Sequence, residues 1–269
     1  MSIKDTTADL KFTILGCGTS TGVPIPNCPC PVCRSRNPKN HRLRASAWIQ
    51  KAGKSIIVDT GPDLRTQCLR AKVSRIDAVL YSHPHADHLH GIDELRTYNY
   101  YQKSAIPVYG NSWMISEIKS RFPYIFHVGP AEGGGRPAVE THEIDPSKAS
   151  FQAAGLKIIP IPHAHGSQES LGYRIDDVAY IADCSYIPVK SLDRLKGLAV
   201  LVLDCVRLEP HNTHFHLDKS LEVISELKPR RAFLTHLGHD FDYAKWNGKL
   251  PKGVQLAYDG LTFSNRSIK

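Results

Sequence analysis

Ser82-His83-Pro84-His85-Ala86-Asp87-His88 places four side chains able to bind a metal within the six consecutive residues 83 to 88. The stretch before it, Ile76-Asp77-Ala78-Val79-Leu80-Tyr81, has the apolar clustering of a mostly buried strand, so the ligands begin where a strand ends. Histidines at i and i+2 of an extended chain share a face. Pro84 between them fixes one backbone angle and starts a turn that brings Asp87 and His88 round to a second position beside the first. From Leu89 onward, Gly-Ile-Asp-Glu-Leu-Arg-Thr-Tyr reads as a helix, with Asp87 and His88 near its N-terminus. Neutral imidazoles suit borderline divalent ions, and Asp beside His suits a second ion of harder oxygen character. A histidine-rich surface loop, the plain alternative, explains neither the spacing nor the strand-loop-helix context.

Composition fits such an enzyme-sized unit. The 269 residues suit one large α/β domain, 1–269, better than two small ones, and 41% apolar with 22% charged residues describes an ordinary globule. A formal charge of +8 favours anionic ligands, or simply solubility. Met1 to Leu10 is polar, and the longest apolar run, Leu198 to Leu203, is far too short to span a bilayer, so a cytoplasmic protein without a membrane partner is expected. Seven cysteines, an odd number, with three crowded between 28 and 33, read as metal thiolates in a reducing compartment rather than as a disulfide framework.

Other motifs sit around this centre. Phe12-Thr13-Ile14-Leu15 is a strand, and Gly16-Cys17-Gly18-Thr19-Ser20-Thr21-Gly22 is a turn whose commoner use is chain reversal and whose other use is to cradle a phosphate. Cys28-Pro29-Cys30-Pro31-Val32-Cys33 holds three thiols with two prolines, preorganised for one tetrahedral ion, with zinc the natural occupant. Spacing leaves the fourth ligand open, with Cys17 and Cys68 as candidates. The basic run from Arg34 to Arg44 is a solvated loop or a contact for an anionic substrate. A hairpin over Ala47–Gln50 and Ser55–Val58 ends at Asp59-Thr60-Gly61-Pro62-Asp63, which opens a helix to about Arg70. Tyr98, Tyr100 and Tyr101 offer rings for core packing or for stacking on a base, and Ala131 to Pro137 is a glycine-rich loop. Later strands, Leu156–Pro162, Ser170–Ile175, Val178–Asp183, Leu198–Asp204 and one from Arg231, bring His163, His165, Asp183, Asp204, His236 and His239 to or just beyond strand ends. Thr213 is a plausible cap for a helix running to about Lys228.

His-x-His-x-Asp-His after an apolar strand resembles the signature of the metallo-β-lactamase superfamily, whose fold is an αββα sandwich with a metal site along one edge. Leu15-Gly-Cys-Gly-Thr-Ser-Thr-Gly-Val-Pro24, the cysteine triad, Asp59-Thr-Gly61, Leu171-Gly-Tyr173, Asp183 and Thr235-His-Leu-Gly-His239 resemble its phosphodiesterase branch, in particular the phosphoribosyl 1,2-cyclic phosphate phosphodiesterases of the carbon-phosphorus lyase route. Residue by residue, the resemblance implies one ion on His83, His85 and His165, a second on Asp87, His88 and His236, and Asp183 between them. It makes His165, eight residues before Tyr173, the favoured ligand, and leaves His163 as its reserve or neighbour. Asp59 is implied to orient a metal-bound histidine, and His239 to complete a structural zinc site with Cys28, Cys30 and Cys33. His214 matches the general acid, and Asp87 joins it as a catalytic residue. The cofactors implied are two divalent ions, Mn2+ or Zn2+, plus one structural Zn2+.

The expected reaction is hydrolysis of a small, cyclic or nucleotide-like phosphodiester by a hydroxide held between the two ions. A homodimer is common in the family, though no stretch here marks an interface. A tRNA 3'-end endonuclease shares the ligands but needs a protruding basic arm, and none is visible, so no nucleic-acid polymer is expected as partner. A thioester hydrolase shares them too, against the wording of the glycine loop and the cysteine triad. A β-lactamase lacks that triad, and a non-catalytic nucleotide-binding protein would keep the metals without turnover.

Overall fold

The computed structural model describes residues 9–127 and 135–265. The chain opens with β1 (Lys11–Gly16), β2 (Ser46–Lys51), β3 (Lys54–Val58), α1 (Leu64–Ala71), β4 (Ala78–Leu80), α2 (Ala86–Leu89), α3 (Leu95–Gln102), β5 (Ile106–Gly110), α4 (Ser112–Arg121), α5 (Pro123–Phe126) and β6 (Val139–Glu143). It continues through β7 (Phe151–Ala153), β8 (Leu156–His165), β9 (Gln168–Ile175), β10 (Val178–Ile181), α6 (Val189–Arg194), β11 (Val200–Asp204), α7 (Leu217–Leu227), β12 (Arg231–Thr235), α8 (Tyr243–Asn247), β13 (Val254–Leu256) and β14 (Thr262–Ser264). Two mixed sheets result, in the orders β14-β1-β2-β3-β4-β5-β6 and β13-β12-β11-β10-β9-β8-β7. Helices flank them, as the αββα expectation requires.

Alternation within strands explains the layers. Ile56, Val58, Ala78 and Leu80 join the large core shared with the second sheet, whereas Ile57, Val79 and Tyr81 face a separate cluster with Leu64, Leu95, Met114 and Ile118 from the covering helices. Strands buried on both faces read as continuous apolar runs, which is how β4 and β11 appear in the sequence. Leu80 is fully buried, and cutting it to alanine would cost about 2–5 kcal/mol. The sheets are also tied by polar bonds. Tyr173 donates its hydroxyl to the Tyr81 carbonyl at 2.6 Å, and the Leu171 N–H reaches the Ser82 carbonyl at 3.0 Å. Within the second sheet Gly172 lets β9 and β10 close up, since a Cβ there would lie 2.8 Å from the Tyr180 carbonyl oxygen.

The carboxyl ends of β3, β4, β10, β11 and β12 converge on one edge, where ligand sites of open α/β sheets form. Asp59, Asp183 and His236, each the first or second residue beyond a strand, have φ of 62°, 53° and 57°. Left-handed backbone at non-glycine residues costs energy and clusters at functional sites. Three expectations shift. A one-turn α2 begins at Ala86, with His85 extended before it, so Asp87 and His88 lie inside a helical turn rather than ahead of one. Strand β8 runs on to His165. Helix α7 starts at Leu217, with Thr213 outside it, because the segment before it folds back onto β8. Of the Ala131 to Pro137 loop, residues 131–134 lie outside the described residues. Among those described, no helix is long and apolar enough to cross a membrane.

Candidate metal centre

The ligand turn is set by the turn after β3. Asp59 accepts the Ser82 N–H at 2.8 Å and the Ser82 hydroxyl at 2.7 Å, and the same carboxylate lies 2.8 Å from His88 Nδ1. Thr60 donates its N–H to the His88 carbonyl at 2.8 Å. Gly61 is required here, because a Cβ would sit 2.0 Å from the Asp87 carbonyl oxygen. Asp-Thr-Gly is therefore the clamp that fixes the histidine turn.

Two groups of ligand atoms face each other across Asp183. In the first, His83 Nε2 lies 3.0 Å and His165 Nε2 3.3 Å from His85 Nδ1. In the second, His88 Nε2 lies 3.2 Å from Asp87 and 3.0 Å from Asp183, while His236 Nε2 lies 3.3 Å from Asp183 and 3.9 Å from Asp87. Asp183 Oδ1 is also 4.0 Å from His83 and 3.9 Å from His165, so its carboxylate touches both groups. His165 donates from Nδ1 to the Thr213 carbonyl at 2.8 Å, which leaves Nε2 facing inward. His163 stands apart: its two nitrogens lie 3.0 Å from the carbonyls of Ile161 and Ala182, so it braces the backbone leading to Asp183.

The donor set fits divalent cations. Edges of about 3.3 Å separate nitrogen ligands around a tetrahedral zinc with bonds of about 2.0–2.1 Å, close to the spacings found. His88 Nε2, His236 Nε2 and Asp183 Oδ2 are buried without a hydrogen-bond partner, although they crowd together. Such buried orphans are costly unless a shared cation satisfies them. The electrostatics agree. Burial opposes charge on His88, but Asp183, Asp87 and Asp59 outweigh it and raise its pKa well above the usual value. His236 is raised likewise, against burial, chiefly by Asp183. Burial pushes His83, His85 and His165 down, which keeps them neutral and ready to bind metal. Burial would lift Asp183, yet His236 and His88 hold it well below the carboxylate range.

His214 lines the same space. Its Nδ1 is 3.9 Å from Asp183 and 3.4 Å from Asp204, and its ring stacks on His236 at 4.8 Å and 13°. Asp204 reaches His236 Nδ1 at 3.4 Å with its other oxygen, and accepts N–H groups from Cys184 and Phe215. Asp204, which the sequence shows only as an acid at a strand end, thus sets its two oxygens against the two histidines. Ser82 and His211 also belong to this neighbourhood. Ser82 follows its strand in the signature itself, while His211 is legible only as a histidine three positions before His214.

A second cluster forms from the cysteine triad. Cys28, Cys30 and Cys33 place sulfur 3.3, 3.5 and 3.6 Å from His239 Nδ1. A tetrahedral zinc with bonds of about 2.3 Å to sulfur and 2.0 Å to nitrogen gives S–N edges of about 3.5 Å. The N–H groups of Cys33 and Ile25 point at the sulfurs of Cys30 and Cys33, as thiolates favour. Despite burial, backbone N–H bonding lowers Cys30 to about 7, whereas burial first among its causes lifts Cys33 to about 11. Cys17 and Cys68 lie outside this cluster, so neither supplies its fourth ligand.

Other candidates have structural occupations. In the glycine turn, the N–H groups of Cys17, Gly18, Thr19 and Gly22 go to Asp259, Leu43, Leu237 and Thr19, which makes it a chain reversal rather than a phosphate cradle. Arg42, taken with the solvated run, is 1% exposed and donates to the Gly238 carbonyl at 2.9 Å, while Arg44 pairs with Asp63 at 3.1 Å. Tyr98 is half-buried against the helical cluster, and Tyr100 and Tyr101 are exposed.

Comparison with known proteins gives the family and the fold. Residues 54–237 match the beta-lactamase superfamily domain. A diphosphatase from the PhnP family of known structure shares 39% identity, covers 95% of this chain and 97% of its own, and superposes with a TM-score of 0.88. Zn2+-bound PqqB from Methylobacterium extorquens shares the fold at 18% identity, with a TM-score of 0.74 and coverage of 94% and 99%. An octanoyltransferase of Porphyromonas gingivalis (strain ATCC BAA-308 / W83) is 34% identical over 255 residues, which is 94% of this chain and 51% of that protein. The chain thus spans about half the length of that relative.

Proposed function

The chain belongs to the metallo-β-lactamase superfamily of metal-dependent hydrolases, and from that premise we propose that it hydrolyses a phosphodiester bond in a small phosphorylated sugar or nucleotide. The observation that carries this reading is the meeting of both histidine groups on Asp183 with His214 alongside. His83, His85 and His165 would hold one divalent ion and Asp87, His88 and His236 a second, with Asp183 placed to serve both. Cys28, Cys30, Cys33 and His239 would hold a structural zinc. When bound, the active-site pair lowers the pKa of water and neutralises charge on a phosphoryl group.

The protein's own groups do the rest. His214 gives a proton to the leaving oxygen as its bond to phosphorus breaks, the role of a general acid. The Asp204 carboxylate, 3.4 Å from His214 Nδ1, favours the protonated form of that ring, and Asp87, 3.2 Å from His88 Nε2, is placed beside the attacking side. The +8 charge favours an anionic substrate in a broad sense. Similarity to the PhnP-family diphosphatase favours a second reading, cleavage of a diphosphate linkage, which uses the same attack at phosphorus. Phosphorus NMR with manganese-loaded protein separates them: 5-phosphoribosyl 1,2-cyclic phosphate, a 2',3'-cyclic nucleotide and a nucleoside diphosphate derivative are supplied in separate tubes. Turnover of the cyclic esters supports the first reading, and turnover of the diphosphate alone supports the second. Inert substrates with full metal content contradict both.

A further inference from the structure

We propose that His211 contacts the substrate, presenting a neutral Nε2–H to an acceptor oxygen on the leaving side of the scissile bond. The inference rests on the phosphoester reading above and names a residue that reading does not use.

Tautomer chemistry starts it. The Thr213 backbone N–H lies 3.2 Å from His211 Nδ1, and a backbone N–H can only donate, so Nδ1 is the acceptor. The Thr213 hydroxyl lies at the same distance from that nitrogen. The ring proton is therefore on Nε2, on the opposite side of the ring from Thr213. Among the described residues Nε2 has no hydrogen-bond partner, and the ring is only half-buried. An N–H held in a fixed direction without a protein acceptor is available to a ligand.

Position decides which ligand atom it meets. The His211 ring centroid is 5.0 Å from that of His214, at 69°, and His214 in turn lies 3.9 Å from Asp183. On the phosphoester reading a phosphoryl group would sit nearest Asp183 with its leaving oxygen toward His214, which leaves His211, the ring beside His214, for an acceptor on the leaving portion. Thr213 makes this placement rigid. Its carbonyl receives His165 Nδ1–H at 2.8 Å, so the same residue orients a ligand histidine with one backbone group and His211 with the other. Gly166 closes the contact from the other side, since a Cβ there would lie 2.7 Å from Thr213 Cγ2, and its φ is +63°. Burial and the neighbouring His214 both lower the His211 pKa, in keeping with a neutral donor.

Two amide variants separate substrate contact from loop shaping. In His211→Asn the amide oxygen can replace Nδ1 for Thr213 while the Nε2 donor is lost; in His211→Gln the amide nitrogen can reach the Nε2 position while the loop bond is lost. His211→Asn is expected to keep its metals and melting temperature and to lose about tenfold in kcat/KM, the worth of one hydrogen bond, and His211→Gln to recover most of that loss. Wild-type kcat/KM in a metal-replete Asn variant would overturn the proposal. Should either variant fold poorly, nitrogen-15 NMR of the zinc-loaded wild type decides: an Nε2 proton on His211 whose resonance moves when inorganic phosphate or the monoester product is added supports the contact, and a proton on Nδ1 or an Nε2 resonance that stays put overturns it. Wild-type protein that hydrolyses no phosphorus ester would instead defeat the functional reading, with the tautomer still measurable.

Discussion

The carboxylate of Asp59 lies 2.8 Å from Nδ1 of His88, with both side chains fully buried. That contact fixes the ring so that Nε2 faces Asp87 and Asp183. Asp59→Asn keeps an acceptor for Ser82 and a residue tolerant of left-handed backbone, but removes the charge. Affinity for the second ion is expected to fall about 10- to 100-fold, read by competition with a chromophoric chelator. Affinity within twofold of wild type would contradict the role given to Asp59.

Asp204 is shared between His214 and His236, 3.4 Å from each. Asp204→Asn removes the charge that lies against both rings, so kcat should drop about 10- to 100-fold with the fold retained. Stopped assays paired with circular dichroism check it. An unchanged kcat would leave Asp204 as a turn residue that only accepts from Cys184 and Phe215.

His236 and His239 are three positions apart yet serve different clusters. His239→Ala is expected to release about one zinc and to lower the melting temperature, because zinc binding contributes directly to folding. Elemental analysis beside a thermal melt tests this. Unchanged zinc content would separate His239 from Cys28, Cys30 and Cys33.

Asp259 supplies a pH signature away from the metals. Burial raises its pKa to about 6, against the N–H groups of Leu43 and Cys17 and the charge of Arg70 at 3.1 Å. A raised carboxyl pKa means that the folded state holds the proton more tightly than the unfolded chain, whose value is about 3.9. Its contribution is present below about pH 4 and is lost as pH rises through about 6, at about 1.4 kcal/mol per unit. Wild type should therefore lose stability relative to Asp259→Asn between those limits, seen in paired melts. A constant difference would show that Asp259 titrates alike in both states.

How much was legible follows from where the chemistry lies along the chain. His83, His85, Asp87 and His88 fall within six residues and follow an apolar strand, so local pattern exposes both proposed metal positions and the edge that carries them. The cysteine triad is legible for the same reason. His239 and His236 lie more than 200 residues from Cys28 and nearly 150 from His88, and only resemblance paired them with those partners. Asp204 looks like any acid ending a buried strand until the fold brings His214 and His236 to its two oxygens. Arg42 sits in a basic run that looks solvated, but Gly238 and Asn40, from distant and near chain, bury its guanidinium. Thr213 looked like a helix cap because polar residues precede α7. Its bonds to His165 and His211 depend on a chain fold that no local signal carries.

The most direct test is hydrolysis of bis(4-nitrophenyl) phosphate in oxygen-18 water by manganese-loaded protein, followed by phosphorus NMR. Metal-dependent attack on phosphorus predicts a monoester product with one oxygen-18 on phosphorus, formed only when the active-site ions are present. A fully metal-loaded chain that leaves this diester intact while cleaving a thioester would contradict the account.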